Sequence, residues 1–529
     1  MVGPACLGAA RLWIELPLLG MVALLVVVQG LRLTARPRAE EQRRVDFIDL
    51  SVALFVLYAV ARWLTSPVEY FSRIEAMAVV AYAGVFLTCR YGMANRRYCM
   101  ILLYLLVMVG VGETAFGYYL SNHLDWFPFG PAEQTQLHYA PRWVGTYDSA
   151  NFYACFLVMA IGAALALGSL SKLAWPVRIV MFYLSIMMMV GVIYSGSRGS
   201  WIALLGAICA LLFLGIRHGT TRWWVPVAGV LVLVVVSGFL FSLSPLVRER
   251  LDSTQVLLSG GNLAADDRVR LAEESLQIAR HHAIFGTGPG TFAFVQPQYQ
   301  SNALKMTTDV AHDDYLNCLD DYGTVGLGLA MLFIAAVSLK FLGPLIVDNR
   351  WQDRVLVATG FAAWVALLLH SLLDSNLHVP ANALLLFSLT GLAMGRMKED
   401  KQPHWISIAL APLGRWLGVA VVLLGLAYGA RVTQTALGDR AYEKVSARWG
   451  EIPLTDEIAA AEEALRYDPG NAQALVLLGD SHQALAALQK DSAAQQAETG
   501  KALEAYLKAR KANPLDLSIK AKIDGIAKQ

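Results

Sequence analysis

The sequence predicts an all-α, polytopic membrane protein with about twelve transmembrane helices and a small α-helical repeat domain at its carboxyl end. Three observations lead to this fold class. Of the 529 residues, 56% are hydrophobic and only 16% are charged, and the mean hydropathy is +0.48, which is too apolar for a soluble protein. The apolar residues gather in windows that can cross about 30 Å of hydrocarbon. The last hundred or so residues are instead polar and rich in alanine.

Twelve apolar windows account for the predicted membrane domain, residues 1–430. The first window is as long as a bilayer requires and lacks the basic start and small-residue cleavage pattern of a signal peptide, so we interpret it as a transmembrane helix. The windows lie near residues 12–33, 46–64, 74–89, 98–120, 149–170, 176–194, 199–216, 223–243, 322–345, 355–372, 379–396 and 408–430.

Arginine and lysine are concentrated in every second connection between these windows. The positive-inside rule assigns these basic connections to the cytoplasm. The intervening connections and both termini then face the opposite side. One of them is a long polar loop, residues 244–315, which is therefore predicted to lie outside the cytoplasm.

The charge balance and the cysteines exclude other classes of protein. A net charge of +2, without a basic tract interleaved with aromatic residues, argues against a nucleic-acid partner. The six cysteines are scattered, mostly within apolar windows, and show no paired spacing. We therefore expect neither disulfides nor a metal site, and no cofactor.

Two arginines at the edges of apolar windows mark the predicted site. Arg198 lies in a Gly/Ser-rich break, where small residues let backbone N–H groups approach an anion and the guanidinium can bind two phosphate oxygens. The alternative is an arginine that reaches to lipid head groups. Arg268 opens an amphipathic helix, and here the alternative is an ion pair with Asp266, Asp267 or a nearby glutamate.

A glycine-rich turn and a histidine follow in the same loop. The turn Phe-Gly-Thr-Gly-Pro-Gly-Thr-Phe, residues 285–292, is a weak phosphate-binding signal because it lacks the Lys-Ser/Thr of a nucleotide loop. His312 stands just before the next helical pattern, and a histidine at the mouth of a membrane site can accept a proton from an attacking hydroxyl. The alternative is a histidine that is satisfied by the backbone or by Asp313.

Further polar residues on the same side are predicted either to bind substrate or to line the interface with water. Catalytic roles are assigned to Arg198, Arg268 and His312. The residues assigned to substrate binding are Arg142, Asn151, Ser197, Arg270, Tyr315 and Asp374.

Three sequence elements together resemble the O-antigen ligase and polymerase superfamily. They are Ser-Gly-Ser-Arg198-Gly-Ser-Trp, the Asp-Arg268 helix with the glycine-rich turn, and Ala-His312-Asp-Asp-Tyr-Leu. Their order and topology match over about residues 140–395. Asp313 stands where this superfamily more often has asparagine.

The resemblance implies a glycosyltransferase at the periplasmic face of the bacterial inner membrane. Its donor would be a glycan on undecaprenyl diphosphate, with Arg198 and Arg268 at the diphosphate and His312 as the essential histidine. The acceptor would be lipid A–core, another lipid-linked glycan or, as in related O-oligosaccharyltransferases, a protein. We expect transfer by direct displacement, with inversion at the anomeric carbon and without a metal.

The carboxy-terminal segment, residues 431–529, has helical periodicity and two related stretches that contain Asp-Pro or Asn-Pro. This pattern resembles tetratricopeptide repeats and implies a periplasmic domain that docks a protein partner. The alternative is a plain helical hairpin that caps the membrane domain.

Two other classes of function stay open, a lipid-linked sugar transporter and a structural scaffold. A transporter is expected to carry ionisable residues near the middle of its helices and to consist of two related halves. In this sequence the charges gather at one face, and a scaffold has no need to gather Arg198, Arg268 and His312 there.

Overall fold

The computed structural model describes residues 12–35, 44–93, 95–123, 142–217, 267–300, 308–343, 350–397, 408–409, 414–446 and 452–528. Within these ranges the chain forms seventeen α-helices, two short 3₁₀ turns and one pair of two-residue strands. The all-α polytopic fold that the sequence predicts is confirmed.

The helices follow one another with short connections wherever both flanks are described. The first seven are α1 (Leu12–Ala35), α2 (Phe47–Thr65), α3 (Glu69–Gly92), α4 (Arg96–Ser121), α5 (Ala150–Leu170), α6 (Trp175–Tyr194) and α7 (Arg198–Arg217). The next six are α8 (Asp267–His281), α9 (Phe292–Val295), α10 (Asp314–Leu342), α11 (Trp351–His370), α12 (Pro380–Met394) and α13 (Gly414–Ser446). The last four are α14 (Leu454–Tyr467), α15 (Ala472–Leu488), α16 (Ser492–Ala512) and α17 (Leu517–Ala527). Strands β1 (Arg44–Val45) and β2 (Ile408–Ala409) pair antiparallel.

Ten helices of the described chain are long and apolar enough to cross a membrane, namely α1 to α7, α10, α11 and α13. Helix α12 is apolar but has only 15 residues. These eleven helices occupy eleven of the twelve predicted windows. The remaining window, 223–243, lies outside the described residues.

Helix α5 lies at the centre of the bundle. It is apolar all round, and α4, α6, α7 and α11 pack against it. A helix of this kind has no polar face to offer to water, so it is stable only when it is enclosed. Its enclosure fixes the ends of α6, α7 and α11 near residues 149–151, where the polar site begins.

Arginines from two basic connections form ion pairs at the opposite end of the bundle. Arg90 forms an ion pair with Asp49 at 2.8 Å. Arg96 and Arg396 share the buried carboxylate of Asp353, at 2.8 and 3.8 Å. The structure thus joins connections that the sequence assigns to one side of the membrane, while the assignment of that side to the cytoplasm stays a prediction.

The glycine-rich turn donates hydrogen bonds to carbonyl groups at a break in α10. At Gly323 the helix has φ 68 and ψ −172, so the carbonyls that precede the break lose their helical donors. The N–H groups of Thr287 and Gly288 donate to the carbonyls of Asp320 and Asp321, at 2.8 and 3.0 Å. These donors are therefore occupied by the protein itself. The turn is a structural element, and the weak phosphate-binding signal read from it was wrong.

The carboxy-terminal helices pack against the end of the bundle that carries the polar site. Helix α13 continues to Ser446, past residue 430, and α14 to α17 follow as packed neighbours. Arg73 of α3 is fully buried and pairs with Asp468 at 2.7 Å. Leu515 packs against the apolar cluster that contains Ile278 and Ala311. The assignment of these helices to tetratricopeptide repeats stays a prediction.

Candidate functional site

His312 stands between the polar loop and α10 with an unusual backbone conformation. Its φ is 54, and it is the one non-glycine residue with a positive φ in the part of the chain that the structure describes. The carboxylate of Asp313 caps α10 by accepting from the N–H groups of Tyr315 and Leu316, both at 2.9 Å. Asp313 is thereby engaged with the backbone. A residue held in such a conformation is typical of a functional site.

The carboxylate of Asp374 contacts three of the other predicted site residues. It is 1% exposed and lies in the turn after α11. Its carboxylate oxygens lie 3.0 Å from His312 Nδ1, 3.4 Å from Arg268 Nη2 and 2.5 Å from Asn151 Nδ2. Burial alone would raise the pKa of Asp374, but the hydrogen bond from His312 and the positive charge of Arg268 lower it to about 2. Asp374 is therefore an anion at neutral pH.

This carboxylate sets the tautomer of the histidine. Because Asp374 accepts the hydrogen bond, Nδ1 of His312 carries the hydrogen, and Nε2 of the neutral ring keeps a lone pair. The His312 side chain is 37% exposed, so substrate has access to it. A histidine oriented by a buried carboxylate is suited to act as a general base.

Arg142 connects the Asp374 cluster to the turn that precedes α7. Its Nη2 donates to Oδ1 of Asn151 at 2.8 Å, and its Nε donates to the carbonyl of Ser195 at 2.5 Å. Next to it, the backbone N–H of Trp143 donates to the carbonyl of Tyr194, and the rings of these two residues stack with their centroids 4.8 Å apart. The loop before α5 and the turn before α7 are therefore held as one unit.

Arg198 is the first residue of α7 and is half-buried. Beneath it, His370 Nε2 lies 2.7 Å from the hydroxyl of Ser200, while Asn376 Nδ2 donates to His370 Nδ1 at 2.5 Å. The Ser200 hydroxyl lies 3.0 Å from that of Ser197, which is 3% exposed. Ser197 thus supports the turn from inside. The segment after α11 supports both Asp374 and the start of α7.

Two residues predicted to bind substrate lie away from the Asp374 carboxylate. The hydroxyl of Tyr315 donates to the carbonyl of Leu368 at 2.9 Å. Arg270 follows Arg268 by two positions on α8, which places it on roughly the opposite side of the helix. Asp266, an alternative partner for Arg268, lies outside the described residues. The substrate-binding roles of Tyr315 and Arg270 stay predictions.

Sequence reasoning missed two carboxylates that organise the site. Glu113, buried inside α4, accepts from the N–H and the hydroxyl of Thr146, at 2.9 and 2.7 Å, and so fixes the loop that carries Arg142. A carboxylate within a transmembrane window is costly, so a signal for it was present in the sequence. Asp314 accepts from the hydroxyl of Ser371 at 2.6 Å and thereby ties α10 to the segment after α11.

The geometry combines anion binding with proton transfer. The guanidinium of Arg268 lies beside a histidine that has been oriented to accept a proton, and Arg198 is carried by a turn bonded to the same cluster. Guanidinium groups bind phosphate oxygens through charge-assisted hydrogen bonds. The site can therefore hold an anionic group next to a hydroxyl that is being deprotonated.

Comparison with known families agrees with this chemistry. Residues 182–331 match the family model described as O-Antigen ligase, and the matched segment contains Arg198, Arg268 and His312. Asp374 lies beyond it. A search of curated proteins finds no match. The family match supports a glycan-transferring activity of the ligase or polymerase type, and this chain is thus a multi-pass membrane protein whose residues 182–331 are similar to the O-antigen ligase family.

Proposed function

We propose that this protein transfers a glycan from undecaprenyl diphosphate to an acceptor hydroxyl at the periplasmic face of a bacterial inner membrane. The observation that carries the proposal is the convergence of His312 and Arg268 on the buried carboxylate of Asp374, at 3.0 and 3.4 Å. The family match to residues 182–331 supports glycan transfer. The lipid diphosphate donor and the periplasmic face are what the resemblance to the O-antigen ligase and polymerase superfamily implies, and the cationic residues and the loop charges are consistent with both.

In the proposed reaction, Nε2 of His312 takes the proton of the acceptor hydroxyl while its oxygen attacks the anomeric carbon. The bond from sugar to diphosphate breaks, and its electron pair leaves on the diphosphate oxygen. Asp374 holds the ring and stabilises the imidazolium that forms. Arg198 and Arg268 stabilise the negative charge as it develops on the leaving diphosphate. A single displacement of this kind inverts the anomeric configuration.

The carboxy-terminal helices support a role in recruiting a partner. We infer that residues 431–529 form a tetratricopeptide-like domain that docks a protein on the same side as the site. Its attachment through the buried pair of Arg73 and Asp468 places it beside the loop that carries His312. The acceptor is lipid A–core, a second lipid-linked glycan or a protein hydroxyl, and these three acceptors are distinguished by assay.

The test is glycan transfer by the purified full-length protein in EDTA, with a lipid-linked donor and each acceptor in turn. We expect Arg198→Ala, Arg268→Ala and His312→Ala each to lower the rate about a hundredfold or more while the protein stays monodisperse. The matched control is Arg217→Ala, at the other end of α7, where the guanidinium donates to the carbonyl of Leu342 at 2.8 Å. This variant is expected to transfer like the wild type.

Two results contradict the proposal at different levels. If the wild type transfers no glycan to any acceptor while it and the three variants bind the donor equally, the catalytic assignment fails, and transport of the lipid-linked sugar becomes the leading hypothesis. If transfer occurs but the product retains the anomeric configuration of the donor, only the single displacement is wrong.

A further inference from the structure

An apolar cavity with a polar head lies behind the start of α10. It has a volume of about 180 Å³ and is lined by residues of α2, α3, α10, α11 and α12. Aromatic side chains form much of its wall, namely Phe55, Tyr82, Phe86, Phe333, Trp364 and Phe387. A wall of this composition suits a hydrocarbon chain.

The polar head of the cavity is formed by three carboxyl groups and one histidine. His378 lies with Nδ1 3.3 Å from Asp314 Oδ1 and Nε2 3.9 Å from Glu75 Oε1. The amide Nδ2 of Asn317 lies 3.1 Å from Asp321 Oδ2 and 3.2 Å from His378 Nε2. Among the described residues that line the cavity, three carboxyl groups face one basic group, that of His378. The head is therefore acidic.

Two polar atoms in the cavity wall have no hydrogen-bond partner among the residues that the structure describes. Asp321 is 1% exposed; its Oδ2 accepts from the Gly290 N–H at 3.0 Å, but its Oδ1 is unpartnered. Tyr322 is 4% exposed, and its hydroxyl is also unpartnered. A buried acceptor without a donor is unfavourable, and native proteins seldom leave one. Of these two atoms, Asp321 Oδ1 is the acceptor that the described residues leave without a donor.

We propose that this cavity binds a lipid whose head carries an amine and no phosphate. The amine is attracted by the carboxyl groups of Asp321, Glu75 and Asp314, while the hydrocarbon chain fills the aromatic part of the cavity. A phosphate head is rejected because three carboxyl groups would face it. The occupant therefore differs in charge from a ligand held by Arg268 and His312.

The test is photolabelling of the purified full-length protein in detergent with a dodecylamine that carries a diazirine on its chain, followed by peptide mapping. We expect label on the peptides of α3 and α10 that line the cavity. Unlabelled dodecylamine should compete, and dodecyl phosphate should not. Asp321→Asn, which keeps an acceptor for the Gly290 N–H, should reduce labelling about tenfold or more. Ala83→Trp, which fills the cavity, should reduce it similarly.

His312→Ala serves as the control, because it alters the other polar site and should label like the wild type. The proposal is overturned if both cavity variants label like the wild type, or if dodecyl phosphate competes as well as dodecylamine. If one variant is not monodisperse, the other variant and the competition still decide. The assay measures binding alone, so its outcome is independent of whether the protein transfers a glycan.

Discussion

The site around Asp374 and the head of the cavity differ in their balance of charge although they share one short segment. At the site, Arg268 and His312 surround the single carboxylate of Asp374. At the head of the cavity, three carboxyl groups surround His378. Residues 371–378 contribute to both regions. If both proposals hold, the two regions select ligands of different charge although only a few residues separate Asp374 from His378.

Asp314 lies between the two regions and contacts residues of the segment that they share. Its N–H donates to the carbonyl of Ser371 at 2.9 Å, and its carboxylate accepts from the Ser371 hydroxyl and the Leu377 N–H, at 2.6 and 3.2 Å. The same carboxylate lies 3.3 Å from His378 in the cavity. It also follows His312 by two positions. Each region therefore depends on Asp314, whereas Asp374 serves the site alone.

The largest expected effect that separates the regions comes from Asp374→Asn. An asparagine amide can donate to Nδ1, which favours the wrong histidine tautomer and leaves the imidazolium without its counter-charge. We expect transfer to fall about 10²- to 10⁴-fold, while photolabelling of the cavity by the amine stays at the wild-type level. Initial rates and labelling on the same preparation check this. A variant that retains wild-type transfer shows that the carboxylate does not orient His312.

The low pKa of Asp374 leads to a prediction about pH. Its folded pKa, about 2, is below the ordinary value of 3.8, so its contribution to stability is fully present above about pH 4 and is lost as the pH falls through 2. Asp374 therefore stays ionised from pH 5 to 9. Any fall in transfer on acidification within that range must come from another group. A pH–rate profile together with melting curves at each pH tests this, and a loss of stability that begins near pH 6 in the wild type but not in Asp374→Asn contradicts it.

The sequence predicted the helices well and the contacts between them poorly, for physical reasons. A bilayer requires apolar windows of a fixed length, so eleven windows could be located without any knowledge of packing. Arg198, Arg268 and His312 could be selected because charge at a membrane edge is costly. The arrangement of Arg268 and His312 around Asp374 could not be predicted, because it depends on a residue 62 positions from His312.

The glycine-rich turn is a second case in which contacts between distant segments could not be predicted from the sequence. Its composition suggested an anion cradle, but its donors are taken by the carbonyls of Asp320 and Asp321, 33 positions away. Those carbonyls need donors only because α10 breaks at Gly323. A glycine inside a helical pattern indicates a possible break, but it does not identify the segment that will donate hydrogen bonds to the freed carbonyl groups.

A smaller effect, shared by both regions, is expected from Asp314→Asn. The amide oxygen can still accept from Ser371 and Leu377, as Oδ2 does, but the variant loses the negative charge at the cavity head, and its NH₂ group cannot accept in place of Oδ1. We expect transfer and amine labelling each to fall about tenfold. The matched control is Asp456→Asn, an exposed residue on α14, which should change neither. If only transfer or only labelling falls in Asp314→Asn, the two regions do not both depend on Asp314.

The smallest expected effect comes from Glu113→Gln, which tests whether the site can be loosened without touching the cavity. Glutamine offers one acceptor oxygen to Thr146, where glutamate offers two, so one of the two hydrogen bonds is weakened inside α4. The loop that carries Arg142 should then hold the donor less firmly, raising KM several-fold and leaving kcat nearly unchanged. Amine labelling should not change, since Glu113 does not line the cavity. A parallel loss of labelling would mean that the bundle responds as one unit, and the charge sorting at residues 371–378 would then not separate two independent binding regions.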